Sequence, residues 1–139
     1  MDRRALLAAF GAFMGAGCSL QFPWSGPDDV SLINLIATPE KFGGRRIRVI
    51  GYLHLEFEGN ALYLDQQSFS LAITKNSVWI YLPERETKAK QQSVSDKYAL
   101  VQGRFDARDR GHMEMCAGAI GSIERLEPWP FRNGKPGRD

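Results

Sequence analysis

The chain has 139 residues, of which 43% are hydrophobic and 24% are charged, with 18 Lys and Arg against 16 Asp and Glu. These values are typical of one globular domain and exclude disordered, collagen-like and coiled-coil chains. The net charge of +2 is too small for a protein built around nucleic-acid phosphates, because such proteins carry a concentrated basic surface.

The first 17 residues have the three-part pattern of a secretory signal. Arg3 and Arg4 are followed by an apolar stretch over residues 5–14 and then by small residues at 15–17. A charged segment, a short apolar segment and a small-residue cleavage zone predict a signal peptide at residues 1–17. The apolar stretch is too short to be a membrane-spanning helix.

The segment Gly15-Ala16-Gly17-Cys18 resembles the lipobox of bacterial lipoproteins. The resemblance implies that Cys18 is acylated and becomes the mature N-terminus. Ser19 in place of Asp implies sorting to the outer membrane, facing the periplasm. The family prefers Leu at the position of Gly15, so a soluble periplasmic protein and an inner-membrane anchor are the alternatives. The run from Arg3 to Leu7 also resembles a twin-arginine export signal.

Breaker residues divide the remaining chain into a tether, one domain and a tail. Pro23, Gly26 and Pro27 indicate a tether over residues 18–29. The end of the chain, rich in Pro and Gly, predicts a flexible tail over residues 128–139. The domain is therefore expected over residues 30–127.

The domain is expected to begin with a short helix that ends at Pro39. Asp29 or Ser31 is a suitable residue to cap its N-terminus. Four aliphatic residues at helical spacing form one apolar stripe, Leu32, Ile33, Leu35 and Ile36. We expect this stripe to pack against the strands that follow.

Five strands are predicted after the helix, and the alternation of their side chains defines an inner and an outer face. The strands are expected at Arg45–Phe57, Ala61–Asp65, Ser77–Leu82, Tyr98–Asp106 and His112–Leu126. The inward side chains are expected to include Ile47, Val49, Leu53, Leu55, Phe57, Leu62, Leu64, Val78, Ile80 and Leu82.

Two of these strands carry a central glycine, Gly51 and Gly103, which is typical of a bulge or a barrel corner. Five strands with such glycines and a long connection between the third and the fourth resemble the OB-fold, a small Greek-key barrel, over residues 45–126. The expected fold class is mainly β, a five-stranded OB-fold-like barrel with a short N-terminal helix. An SH3-like or other small open barrel is the alternative.

OB domains place a capping helix in the connection between their third and fourth strands. Residues 84–94, which lie there, have almost no apolar stripe. We therefore expect the N-terminal helix to close the barrel instead.

Four aromatic side chains are expected on the outer face of the first three strands, and they are the candidate ligand-binding residues, Tyr52, Tyr63, Trp79 and Tyr81. OB domains bind ligands on the face of strands two and three, so the resemblance implies an aromatic platform there. Such rings stack on bases or sugars and anchor protein interfaces. A contact surface requires exposed rings. The alternative is that the N-terminal helix or residues 66–75 cover them.

Two His-x-Glu pairs lie near the loops that flank this face, His54 with Glu56 and His112 with Glu114. If they converged, they would form a zinc site with open positions. Exposed ion pairs are the more ordinary interpretation, so we predict no metal and no cofactor. No Ser or Cys lies in a nucleophile motif and the sequence has no phosphate-binding loop. An enzyme is not expected.

Together these features predict an exported, lipid-anchored binding or structural module of the cell envelope. Its expected partners are the membrane and an envelope protein or glycan. Cys116 lies in an apolar stretch and is expected to be a buried, unreactive side chain. A single-stranded nucleic-acid-binding OB domain and a metal-dependent enzyme that uses the His-x-Glu pairs are the alternatives.

Overall fold

The computed structural model describes residues 26–132 and 135–136, and most of its strands form one barrel. In chain order the elements are β1 (Asp28–Asp29), α1 (Leu32–Ala37), β2 (Arg46–His54), β3 (Ala61–Tyr63), α2 (Gln66–Ser70), β4 (Ser77–Ile80), α3 (Lys88–Val94), β5 (Lys97–Asp106), β6 (Ala119–Pro128), β7 (Phe131–Arg132) and β8 (Lys135–Pro136). Single turns of 3-10 helix lie at Pro39–Lys41, Thr74–Asn76 and His112–Glu114.

The barrel strands follow the order β2-β3-β4-β6-β5, and β5 pairs with β2 to close the circle. The neighbouring strands are antiparallel except for β4 and β6, which run parallel. The fold is therefore a closed, mainly β, OB-like barrel with a few short helices. This confirms the predicted fold class.

Alternation along the strands fills the barrel with aliphatic side chains, because every second residue of a strand points to the same face. Ile47, Val49 and Leu53 of β2 are buried in this core. The other strands and helices add Leu62, Val78, Ile80, Val101, Phe105, Ile120, Leu32, Leu35 and Val94. Leu55, Leu64 and Leu82 are only partly buried against it.

Strand β2 ends three residues earlier than expected, so the prediction that Phe57 points into the core is wrong. Its side chain is 91% exposed. The chain turns sharply after His54, since the Gly59 N–H donates to the Glu56 carbonyl and Glu58 has a φ of 57°. Phe57 therefore lies in the loop between β2 and β3.

The last barrel strand begins at Ala119 and not at His112. Gly111, Met113 and Glu114 have φ values of 69°, 53° and 55°. An extended strand requires negative φ, so these residues form a compact loop instead. The whole segment 107–118 thus connects β5 to β6 as a loop.

Helices lie on both sides of the barrel strands. The Ser31 hydroxyl caps α1 by accepting from the Ile33 N–H at 3.2 Å. Leu32 and Leu35 of this helix are buried, whereas Ile33 is exposed and does not belong to the packed stripe. Helix α3 contributes one fully buried side chain, Val94. The expectation that α1 packs into the barrel is confirmed by Leu32 and Leu35, and a single residue of α3, Val94, also enters the core.

Short strands lie within both the expected tether and the expected tail. Residues 28 and 29, placed in the tether, pair with β2 in parallel. Asp28 and Asp29 also form ion pairs with Arg45 and Arg48, at 2.8 and 2.5 Å. Within the expected tail, β7 pairs with β8. The predicted signal peptide and Cys18 lie outside the described residues. Among the described residues, no helix has the length and apolar composition needed to cross a bilayer.

Glycine is required at positions 51 and 103 for two different structural reasons. The register between β5 and β6 shifts beside Gly103, which confirms the predicted bulge. No shift occurs at Gly51 in the pairing of β2 with β5. A Cβ at Gly51 would instead lie 2.7 Å from the Tyr63 carbonyl oxygen and 2.9 Å from Leu32 Cδ2. Gly51 thus permits a close approach of strand β3 and helix α1.

Candidate functional site

The four predicted ligand-binding rings do not form one exposed platform. Tyr52 is 6% exposed and Trp79 is 9% exposed. Tyr63 is half-buried, and Tyr81 alone of the four is well exposed, at 47%. The exposure that an aromatic contact surface requires is therefore absent at Tyr52 and Trp79, because two other segments of the chain cover this face of the barrel.

The first covering segment is helix α2, through Phe69. Its ring centroid lies 5.6 Å from that of Tyr52 and 5.4 Å from that of Tyr63. Asp65 caps the helix by accepting from the Ser68 N–H at 2.6 Å, and this hydrogen bond lowers the pKa of Asp65. The open alternative that residues 66–75 cover these rings is thus confirmed for Tyr52 and Tyr63.

The second covering segment is the loop 107–118, which packs on Trp79. Gly111 lies so close that a Cβ there would be 2.5 Å from the indole ring. A separate apolar cluster forms under the loop from Ala61, Trp79, Cys116 and Ala119. Cys116 is buried as predicted, and burial raises the pKa of its thiol. The part of the barrel face that OB domains use for ligands is therefore occupied by this protein's own chain.

The two His-x-Glu pairs remain apart. His54 Nδ1 lies 2.6 Å from Asp96 Oδ1, and His54 Nε2 lies 3.5 Å from Glu56 Oε2. The ring of His112 packs beside Trp79, with 6.4 Å between centroids. Among the residues that the structure describes, no three His, Cys, Asp or Glu side chains are grouped to hold a metal ion. The pairs thus do not come together as one site.

A surface groove of about 840 Å³ lies beside the exposed ring of Tyr81. We call it the Tyr81 groove. It lies between the turn at residues 39–44, the start of β6 and the first residues of the loop 107–118. Its polar lining includes Glu40, Tyr81, Arg104, Asp106, Arg108, Asp109, Arg110 and Ser122.

The bulge in β6 shapes one wall of this groove. Residues 122–124 of β6 lie opposite Gly103 without a partner in the ladder, and Ser122 has a φ of 48°. A Cβ at Gly103 would lie 2.5 Å from the Gly121 carbonyl oxygen, so only glycine permits this approach. Bulges bend a strand and redirect its side chains, and they often lie beside binding sites.

The acidic residues of the groove hold its backbone and raise the pKa of its tyrosine. Asp106 Oδ1 accepts from the backbone N–H of Arg108 and Asp109, at 2.8 and 3.3 Å. Asp109 Oδ1 accepts from the Gly111 N–H at 2.9 Å. The nearby Asp109 carboxylate, through hydrogen bonding, raises the pKa of Tyr81, and burial and Asp106 raise it further.

Sequence reasoning missed this groove because residues 107–111 were interpreted only as a turn. Tyr81 was singled out as a ligand-binding residue, and it is the one predicted aromatic that lines the groove. The alternating charges of Arg108, Asp109 and Arg110 directly after a strand were the available signal. Two of their neighbours across the groove, Tyr81 and the turn at residues 39–44, lie more than 25 residues away in sequence.

Comparisons with known proteins establish a fold and no family. No family model matches the chain, and no curated protein matches it. Its fold is similar to that of a solved structure, a DUF3299 family protein from Pseudomonas aeruginosa PAO1, with a TM-score of 0.52 and 9% identity. The match covers 78% of this chain and 99% of that one. The class of protein is therefore a small closed β-barrel, and the likeness supports the fold alone.

Proposed function

We propose that this protein is a ligand-binding module of the bacterial cell envelope, anchored through acylated Cys18, and that its ligand occupies the Tyr81 groove. The observation that carries the proposal is the groove itself. Its volume of about 840 Å³ lies within the range of about 300–1,000 Å³ that small-molecule sites have.

The lining of the groove supports binding at this place rather than on the covered barrel face. Arg is well suited to bind oxyanions and an aromatic ring to bind apolar groups, and the groove contains Tyr81 with Arg104, Arg108 and Arg110. One of these arginines is fixed, because Arg104 Nη1 donates to the Gly44 carbonyl at 2.6 Å. The site therefore has a partly preorganised wall, which reduces the ordering cost of binding.

A steric block tests the groove. A Cβ at Gly121 would make ordinary contact with Tyr81, 3.9 Å from its Cβ, so the side chain of Gly121→Leu would project beside the ring. Saturation-transfer NMR with a collection of neutral, cationic and anionic small molecules identifies binders of the detergent-solubilised chain. We expect Gly121→Leu to abolish the signals of those binders.

Gly26→Leu is the matched control, because a Cβ at Gly26 would have nothing within 4 Å and Gly26 does not line the groove. The Gly26→Leu variant should bind the same small molecules as the unmodified chain. The absence of binders of any charge, or equal binding by the Gly121→Leu variant, would contradict the proposal.

The anchor has its own test. Several acyl chains each contribute about 0.8 kcal/mol per buried CH₂, so Cys18→Ala should move the protein from the membrane fraction to the soluble fraction. Cys116→Ala, which removes the buried cysteine, should leave the protein in the membrane fraction. Unchanged fractionation of Cys18→Ala, with no fatty-acid label on the unmodified chain, would refute the anchor.

A further inference from the structure

Several arginines of the barrel have guanidinium groups that bind a carboxylate or a backbone carbonyl of the same chain. Arg46 binds Glu124 through both Nε and Nη2, at 2.6–2.8 Å. Arg125 likewise binds Glu127, at 2.8–3.3 Å. These pairs are typical of arginines that stabilise a protein surface by contacting a carboxylate of the same chain.

Arg108 and Arg110 differ from these arginines. Both line the Tyr81 groove and both are exposed. Within residues 26–132, neither guanidinium has a hydrogen-bond or ion-pair partner. Each guanidinium has five N–H donors in a planar arrangement that matches the oxygens of a carboxylate or phosphate.

The neighbouring carboxylates do not take these donors. Asp106 accepts from the backbone N–H groups of Arg108 and Asp109, and Asp109 accepts from the Gly111 N–H. These contacts hold the turn that carries the two arginines. Glu40, the remaining acidic side chain of the lining, is exposed and lies on the separate turn at residues 39–44.

The exposed ring of Tyr81 supplies an apolar surface in the same groove. It is 47% exposed and is packed on one side against the buried Trp79 ring, with 6.4 Å between the two centroids. A fixed aromatic ring binds planar or apolar groups at little entropic cost.

We propose that Arg108 and Arg110 bind the oxyanion of a small, soluble organic acid that contains a ring. The acid group is a carboxylate or a phosphate monoester, and the ring packs against Tyr81. This inference rests on the proposed binding function of the Tyr81 groove and adds the chemical class of its ligand. Paired guanidinium groups bind such anions through charge-assisted, bidentate hydrogen bonds, which are stronger than neutral ones.

Calorimetric titration of the detergent-solubilised chain with phenyl phosphate, benzoate and benzyl alcohol tests the ligand class. We expect binding of phenyl phosphate or benzoate and none of the neutral alcohol at the same concentration. Arg108→Gln with Arg110→Gln should weaken anion binding by about tenfold or more. Lys88→Gln with Lys90→Gln, which removes the same charge from helix α3, should leave it unchanged.

Two further binding measurements test the role of the ring and whether the anion belongs to a lipid. Inorganic phosphate should bind more weakly than phenyl phosphate, since it has no ring to contact Tyr81, and equal affinities would overturn the role of the ring. Vesicles containing phosphatidylglycerol, mixed with the Cys18→Ala chain, should not compete with phenyl phosphate. Competition would assign the anion to a lipid headgroup and overturn the proposal of a soluble acid.

The results that would refute this inference differ from those that would refute the proposed function. If neutral molecules bind and Gly121→Leu abolishes their binding, while no anion binds, the groove is a site and the ligand class is wrong. Unchanged anion binding by the double arginine variant would also refute the inference. If nothing of any charge binds, both are refuted.

Discussion

Replacing Trp79 by Ala removes the side chain that joins the barrel to the loop 107–118. Its indole ring contacts Gly111 and packs with Cys116 and Ala119, in a cluster separate from the barrel core. The substitution therefore tests whether the loop is held to the outer barrel face by burial of this ring.

The expected loss of stability follows from the buried area. A large aromatic side chain has up to about 250 Å² of surface, and Trp79 is 9% exposed, so about 230 Å² are removed from water. At about 25 cal/mol per Å² this gives roughly 6 kcal/mol. A compact unfolded chain already buries about 10–40% of such area. We therefore expect a loss of about 3–5 kcal/mol, in the range measured for Trp→Ala substitutions in cores.

Urea unfolding of the full chain, followed by far-UV circular dichroism, measures this loss without relying on tryptophan fluorescence. Phe57→Ala is the control, because its ring is 91% exposed and the change should stay within about 0.5 kcal/mol. A loss below about 1 kcal/mol for Trp79→Ala would show that the loop does not pack on the ring, and would restore an exposed aromatic surface on this face.

Two further predictions concern the strand glycines and acid stability. Gly51→Val and Gly103→Val should each destabilise the fold by more than about 1 kcal/mol in urea unfolding, because an added Cβ would lie 2.7 and 2.5 Å from backbone oxygens; wild-type stability in either variant would contradict the close approach. The pKa of Glu124 is lowered by its hydrogen bonds to Arg46 and Gln102. The ionised Glu124 carboxylate therefore stabilises the fold above the ordinary pKa of a glutamate, about 4.3. This stabilisation is lost as the pH falls through the lowered pKa of Glu124. Arg46→Gln should therefore reduce the change in urea midpoint between pH 5 and pH 3, and an unchanged slope would count against this ion pair.

The sequence determined the barrel and most of its core. Alternation along the strands identified the buried residues Ile47, Val49, Leu62 and Val78, because side-chain direction in a strand has a period of two and requires no knowledge of distant segments. Gly103 was recognised at a bulge for a similarly local reason. A glycine inside a strand is unfavourable unless the backbone there is irregular or closely approached.

Only the tertiary structure decided what covers the outer face. Alternation showed that Tyr52 and Trp79 point outward, but it does not show whether solvent or another segment lies there. Phe69 of helix α2 and Gly111 of the loop 107–118 lie 17 and 32 residues further along the chain than the rings they contact, and neither segment has a periodic pattern that fixes its position. The Tyr81 groove arises in the same way, because segments distant in sequence meet only when the barrel closes.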